Sequence, residues 1–202
     1  CDDAVQKNGK LFIVPMRGWK RSMLWPTTGL RWVPTSPFIP DFAAVAGYPM
    51  TGLGAEVGGW GHGIGSPFPF RLLTHSERSL DALQQELSSL GIAGLGFQRL
   101  DFTNSRGKKD SGLYTVIKDW SKLSPTELSF QMMRLTTQWA DSNPFAQLDA
   151  QKRRMFNIHV GSQEWWEEIS TRGKNARLDA FLQAWQQRAI AFKSQTAPFK
   201  LY

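Results

Sequence analysis

At 202 residues the chain is long enough for one domain to bury roughly 70% of its unfolded surface, so a core can form without covalent staples. Its one cysteine, Cys1, rules out an internal disulfide and a cysteine-rich metal site, and no run of about 18 apolar residues is present to span a bilayer. The 24 Lys and Arg against 17 Asp and Glu leave a net charge of +7, which favours an anionic partner: lipid headgroups, nucleic acid or an acidic protein.

Residues 1–10 are polar and turn-like and read as a tether, with a single α+β domain expected over 11–202. Lys10–Val14, stopped by Pro15, and Gly29–Val33, ahead of Pro34, have the composition of short strands. Four prolines between Pro26 and Pro40 then mark an irregular stretch. The segment from Gly52 to Ser66 is dense in glycine, which permits positive φ or a close backbone approach, and Phe68–Leu73 reads as a strand after it.

Helical periodicity dominates from residue 76 onward. Ser76 is the expected cap of a helix carrying Leu80, Leu83, Leu87 and Leu90, with Gly91 as terminator. Residues 94–102 and 112–118 read as a hairpin around the basic turn 106–110. Ser124-Pro125-Thr126-Glu127 is a capping box with proline at the first helical position; Leu128, Met132, Leu135 and Trp139 follow on one face. Further helices are expected from Asn143-Pro144 to Phe156, from Ser162 to Ile169, and from Asn175 to Lys193. The result is an α+β chain with mostly antiparallel strands in the first 120 or so residues and helices packed after them.

Catalytic signatures are weak by comparison. Using Cys1 as an N-terminal nucleophile calls for an activated thiolate, yet Asp2 and Asp3 adjoin it and like charge raises a thiol's pKa. His62, His75 and His159 lack zinc-ligand spacing, Gly63–Pro67 is not a nucleophile elbow, and Gly52–Gly58 departs from the dinucleotide fingerprint by one residue. No cofactor or metal is therefore expected. Arg17, Trp19, Lys20, Arg21 and Trp25 interleave cations with indoles. That pattern suits a headgroup layer or a stack of bases, or an ordinary hairpin with tryptophan inward.

Cys1 followed by Asp2 resembles the mature end of a bacterial lipoprotein. The resemblance implies acylation at Cys1, sorting through Asp2 that favours the inner membrane, and a periplasm-facing domain on a lipid anchor. From this follows the expectation of a non-enzymatic envelope protein that binds a protein partner, as a component, adaptor or immunity-type inhibitor of a secretion or conjugation system. Arg17, Trp19, Lys20, Arg21, Trp25, Trp60 and His62 are its candidate partner- or membrane-facing residues. A hydrolase using Cys1 is the alternative, and a basic nucleic-acid-binding module the second, with nucleic acid the less favoured partner.

Overall fold

A computed structural model describes residues 12–54, 57–104 and 106–201. Among these residues the fold is α+β, with a four-stranded antiparallel sheet and six α-helices. The strands are β1 (Trp60–Gly61), β2 (Leu72–His75), β3 (Leu95–Thr103) and β4 (Lys109–Ile117), in the order β1-β2-β4-β3. The expected hairpin is the long pair: Leu95 lies opposite Ile117 and Thr103 opposite Lys109, with the basic turn between them. Strand alternation divides the sheet. Leu73, Leu113, Leu95 and Phe97 face a hydrophobic core, whereas Leu72, Tyr114, Gly112 and Phe102 fall on the opposite face.

Helix α1 (Phe42–Thr51) was concealed in the sequence by Gly47 and Pro49, both poor helix residues. Tertiary partners compensate. Asp41 caps its start, its Oδ1 accepting from the Ala44 N–H at 2.9 Å, while at its far end the Ser129 hydroxyl reaches the carbonyls of Pro49 and Met50 at 3.1 and 2.8 Å. Gly47 is needed because a Cβ there would collide with the Phe70 carbonyl.

Helix α2 (Leu80–Ser89) begins three residues later than expected, capped by Ser79, whose Oγ accepts from the Ala82 N–H at 3.2 Å. Helix α3 (Pro125–Trp139) starts where the capping box places it, but the Ser124 side chain makes no capping hydrogen bond. Helix α4 (Ala150–Val160) starts at Asp149, not at Asn143. Asn143 instead braces a turn, donating through Nδ2 to the carbonyls of Ile169 and Ser170 at 2.9 Å each. Helix α5 (Gln163–Arg172) opens at Ser162 as expected, and α6 (Leu178–Thr196) completes the set.

Helix α3 is the spine. Leu128, Met132 and Leu135 pack towards the sheet and α2, while Phe130 and Met133 pack towards α4, α5 and α6 around Trp165, Phe156, Phe145 and Phe181. Burial on both sides, rather than on the single expected face, accounts for its nine buried residues.

The two early strands do not form among the described residues. Residues 12–14 and 29–33 have no regular structure, and β2 begins at Leu72 rather than at Phe68. Prolines at 15, 26, 34, 37 and 40 cannot donate to a ladder, and the segment is instead organised by side chains. Trp25 meets Trp32 edge-on at 5.5 Å, and Trp32 meets Phe42 at 6.4 Å.

Candidate functional site

The glycine-rich segment leaves β1 and curls across the sheet face opposite the helices. Its closure is backbone to backbone: the Phe70 N–H donates to the His62 carbonyl at 2.7 Å. Inside the loop, the Ser66 hydroxyl donates to the Gly63 carbonyl at 2.7 Å and accepts from the Phe68 N–H at 3.0 Å, fixing a tight turn. Gly63 has φ +81°, and a Cβ there would meet the Phe68 carbonyl, so two constraints select glycine at this position. Phe70 itself adopts φ 60°, a strained value for an aromatic residue, and is held by its N–H bond and by the Thr51 hydroxyl donating to its carbonyl at 3.0 Å.

A polar hub anchors the returning end of the loop. The Arg71 side chain, only 10% exposed, donates to Asp41 Oδ2 at 2.9 Å and to the Tyr114 hydroxyl at 3.1 Å. Its guanidinium lies 5.7 Å from the ring centres of both Phe68 and Tyr114. Asp41 thus serves two elements at once, capping α1 through one carboxylate oxygen and holding Arg71 through the other.

Between this loop and the far end of the β3–β4 hairpin lies a groove of about 450 Å³. His62, Gly63, Ile64 and Ser66 form one wall; Phe102, Asn104, Arg106 and Asp110 form the other, with Leu72 and Thr74 at the floor. The hairpin wall is pre-set by Asn104. Its Oδ1 accepts from the N–H groups of Arg106 and Lys108 at 3.0 and 3.1 Å, and its backbone bonds to Lys108 and Gly107. Such a groove offers an aromatic ring, hydroxyl and amide groups, one carboxylate and one guanidinium, a set suited to a polar, hydroxylated ligand carrying charge.

Behind the groove sits an aromatic stack. His75 lies edge-on to Trp60 at 5.2 Å and to Trp139 at 5.1 Å, and Arg78 covers the Trp139 ring at 4.8 Å. Burial lowers the His75 pKa below 6.5, with the Gly58 carbonyl and Glu77 pulling more weakly the other way. Among the described residues no group of three or more His, Cys, Asp or Glu side chains is placed to hold a metal ion.

The surface residues singled out in the sequence do not converge. Cys1 and Asp2 lie outside the described residues. Arg17, Lys20 and Arg21 are exposed, Trp19 and Trp25 are half-buried, and the two indoles line a separate apolar depression with Met16, Met23 and Trp32. Trp60 is buried at 6% exposure, with its indole N–H donating inward to Thr136, and only His62 joins it at the groove. Asn104, Arg106 and Asp110 line the groove although no motif marks them in the sequence, where the one signal nearby is the basic hairpin turn.

Comparison with known proteins decides the family. A model of the C-terminal part of exo-beta-N-acetylmuramidase NamZ matches residues 46–202, and the model of its N-terminal part matches residues 2–43. The chain belongs to the NamZ family. The peptidoglycan beta-N-acetylmuramidase NamZ of Bacillus subtilis (strain 168) is 33% identical over 128 residues, which is 61% of this chain and 31% of that protein. A crystal structure of a DUF1343 family protein from Bacteroides fragilis NCTC 9343 superposes with a TM-score of 0.77 at 27% identity, covering 92% of this chain and 49% of that one. The chain therefore spans about a third of the curated NamZ relative and about half of the solved one. The boundary between the two NamZ matches falls within the start of α1, just after its cap Asp41, and the groove lies wholly within the C-terminal match. Membership of a family of peptidoglycan-cleaving enzymes overturns the expectation of a non-enzymatic binder, and the secretion, conjugation and immunity roles fall with it.

Proposed function

We propose that this chain is part of a glycoside hydrolase that removes a terminal β-linked N-acetylmuramic acid from peptidoglycan strands, and that the groove between the glycine loop and the hairpin engages that sugar. The observation that carries the reading is the match of the family's C-terminal model over residues 46–202, the span that builds both walls of the groove.

The groove's chemistry supports it. A pyranose presents a ring of C–H groups that rests on an aromatic side chain and a rim of hydroxyls that pair with planar polar groups; Phe102, Asn104, Thr74 and Asp110 supply both. Glycoside hydrolysis ordinarily employs two carboxyl groups, one protonating the leaving oxygen and one acting on the opposite face of the sugar. Asp110 is the carboxylate that the described residues place in the groove. Its Oδ1 accepts from the Ser111 N–H at 2.9 Å, which fixes the orientation of the carboxylate for contact with sugar hydroxyls.

The test is direct. The protein is incubated with purified glycan strands ending in N-acetylmuramic acid, and released monosaccharide is identified by mass. Stepwise appearance of N-acetylmuramic acid is the expected result. Release of N-acetylglucosamine instead, or neither release nor binding of a muramic acid glycoside, overturns the reading.

A further inference from the structure

Most described arginines close to the sheet and helices are already neutralised. Arg71, Arg99, Arg134, Arg177 and Arg188 each pair with an aspartate or glutamate. Arg172 pairs with Glu168 as well, whereas Arg78, Arg106, Arg153 and Arg154 make no ion pair among the described residues, and of these four only Arg106, which is exposed, lines the groove. It is also held in place by its backbone. Asn104 Oδ1 accepts its N–H at 3.0 Å, the Gly107 N–H returns to the Asn104 carbonyl at 2.9 Å, and Gly107 takes φ +74° to close the turn. Lys108 and Lys109 follow it, so the end of the hairpin presents three cations beside a groove whose described carboxylate is Asp110.

A guanidinium in that position is matched to a carboxylate, which it engages through two parallel N–H donors. N-acetylmuramic acid differs from N-acetylglucosamine by one lactyl ether, and that ether ends in a carboxyl group. We infer that Arg106 is the specificity-determining residue of the groove, binding the lactyl carboxylate and so separating muramic acid from glucosamine. The inference rests on the proposed function and goes beyond it by naming the group recognised and the residue that recognises it. Phe102, Thr74 and Asp110 contact features that both sugars share, and Arg106 reads the feature that they do not. The cost to an uncharged sugar is small because an exposed arginine stays hydrated when nothing pairs with it.

Titration calorimetry of the full chain tests this, with free N-acetylmuramic acid, its lactyl methyl ester and N-acetylglucosamine as probes. Wild type is expected to bind the acid about 10- to 100-fold more tightly than either uncharged sugar, with the preference shrinking as salt rises. Arg106→Ala should lose that preference while keeping its affinity for N-acetylglucosamine, and Arg106→Lys should retain part of it. Equal binding of acid and ester by wild type overturns the inference without recourse to any variant, as does an Arg106→Ala protein with an unchanged preference; both leave the proposed function standing. Wild type that binds none of the three sugars overturns the proposed function and the inference together.

Discussion

The indole N–H of Trp60 donates to the Thr136 hydroxyl at 2.8 Å, and the same hydroxyl donates to the Met132 carbonyl at 3.0 Å. This buried relay ties β1, from which the glycine loop departs, to the central helix α3. Thr136→Val preserves shape and deletes the acceptor, leaving a buried indole N–H without a partner. A loss of about 1–3 kcal/mol in denaturant unfolding is expected. An unchanged midpoint would mean that the bond contributes nothing.

Asp41 and Arg71 should be coupled more tightly than a surface pair, because the arginine is nearly buried and Asp41 also caps α1. Asp41→Ala removes both functions and is expected to cost about 2–4 kcal/mol, whereas Asp41→Asn keeps an oxygen for the cap and should cost less. Comparing the two by thermal unfolding separates cap from charge. Equal losses would place all of the effect on the ion pair.

Helix caps give a contrast within one molecule. Ser124 makes no side-chain cap bond, so Ser124→Ala should change stability by less than about 0.5 kcal/mol. Asp149 accepts from the Lys152 N–H at 2.8 Å and Ser162 from the Trp165 N–H at 3.2 Å; alanine at either is expected to cost about 1 kcal/mol. The ranking is read from denaturant midpoints, and a Ser124 effect as large as the other two would contradict the observed geometry.

Burial holds the folded-state pKa of His75 below 6.5, so just below that pH the unfolded chain binds more protons than the folded one. Stability from this group is fully present above about pH 6.5 and declines as the pH falls from there towards the folded-state pKa. His75→Phe keeps a ring between Trp60 and Trp139 and should flatten this part of the pH profile. Identical slopes for variant and wild type between neutral and mildly acid pH would assign the dependence to other groups.

Gly63→Ala combines a positive φ with a collision against the Phe68 carbonyl. The loop must shift, which moves one wall of the groove. Sugar binding is expected to fall about tenfold or more, with a smaller change in the unfolding midpoint because the two hydrophobic clusters are untouched. Calorimetric titration and melting curves on the same sample check both halves.

The hairpin at 95–117, the caps at Ser124 and Ser162 as helix starts, and the leucine stripe of α2 were legible because each is a local pattern: alternation, a start signal, or spacing by three and four. Helix α1 was not, since Gly47 and Pro49 are excused only by Phe70 and Ser129, which lie 23 and 80 residues further along the sequence. The groove was hidden for a related reason. Its walls come from residues 61–66 and 102–111, and neither carries a catalytic motif alone. Trp60 stood out in the sequence and does line the groove, but its indole N–H is spent inward on Thr136, whereas Arg106 has the look of an ordinary turn residue until the sheet places it opposite the glycine loop.

The bond from Phe70 to His62 draws the two ends of the glycine loop together at the edge of the sheet. Residues 63–69 span this short base like a handle that is also braced midway, where the Phe68 ring meets Phe102 at 6.0 Å and Tyr114 at 5.6 Å. Changes at the handle's exposed positions Ile64, Gly65 and Pro67 alter the groove's rim without touching the Phe68 brace, the strand register or the packing of α3. Substitution at that rim is thus a way to change what the groove holds while leaving the fold in place.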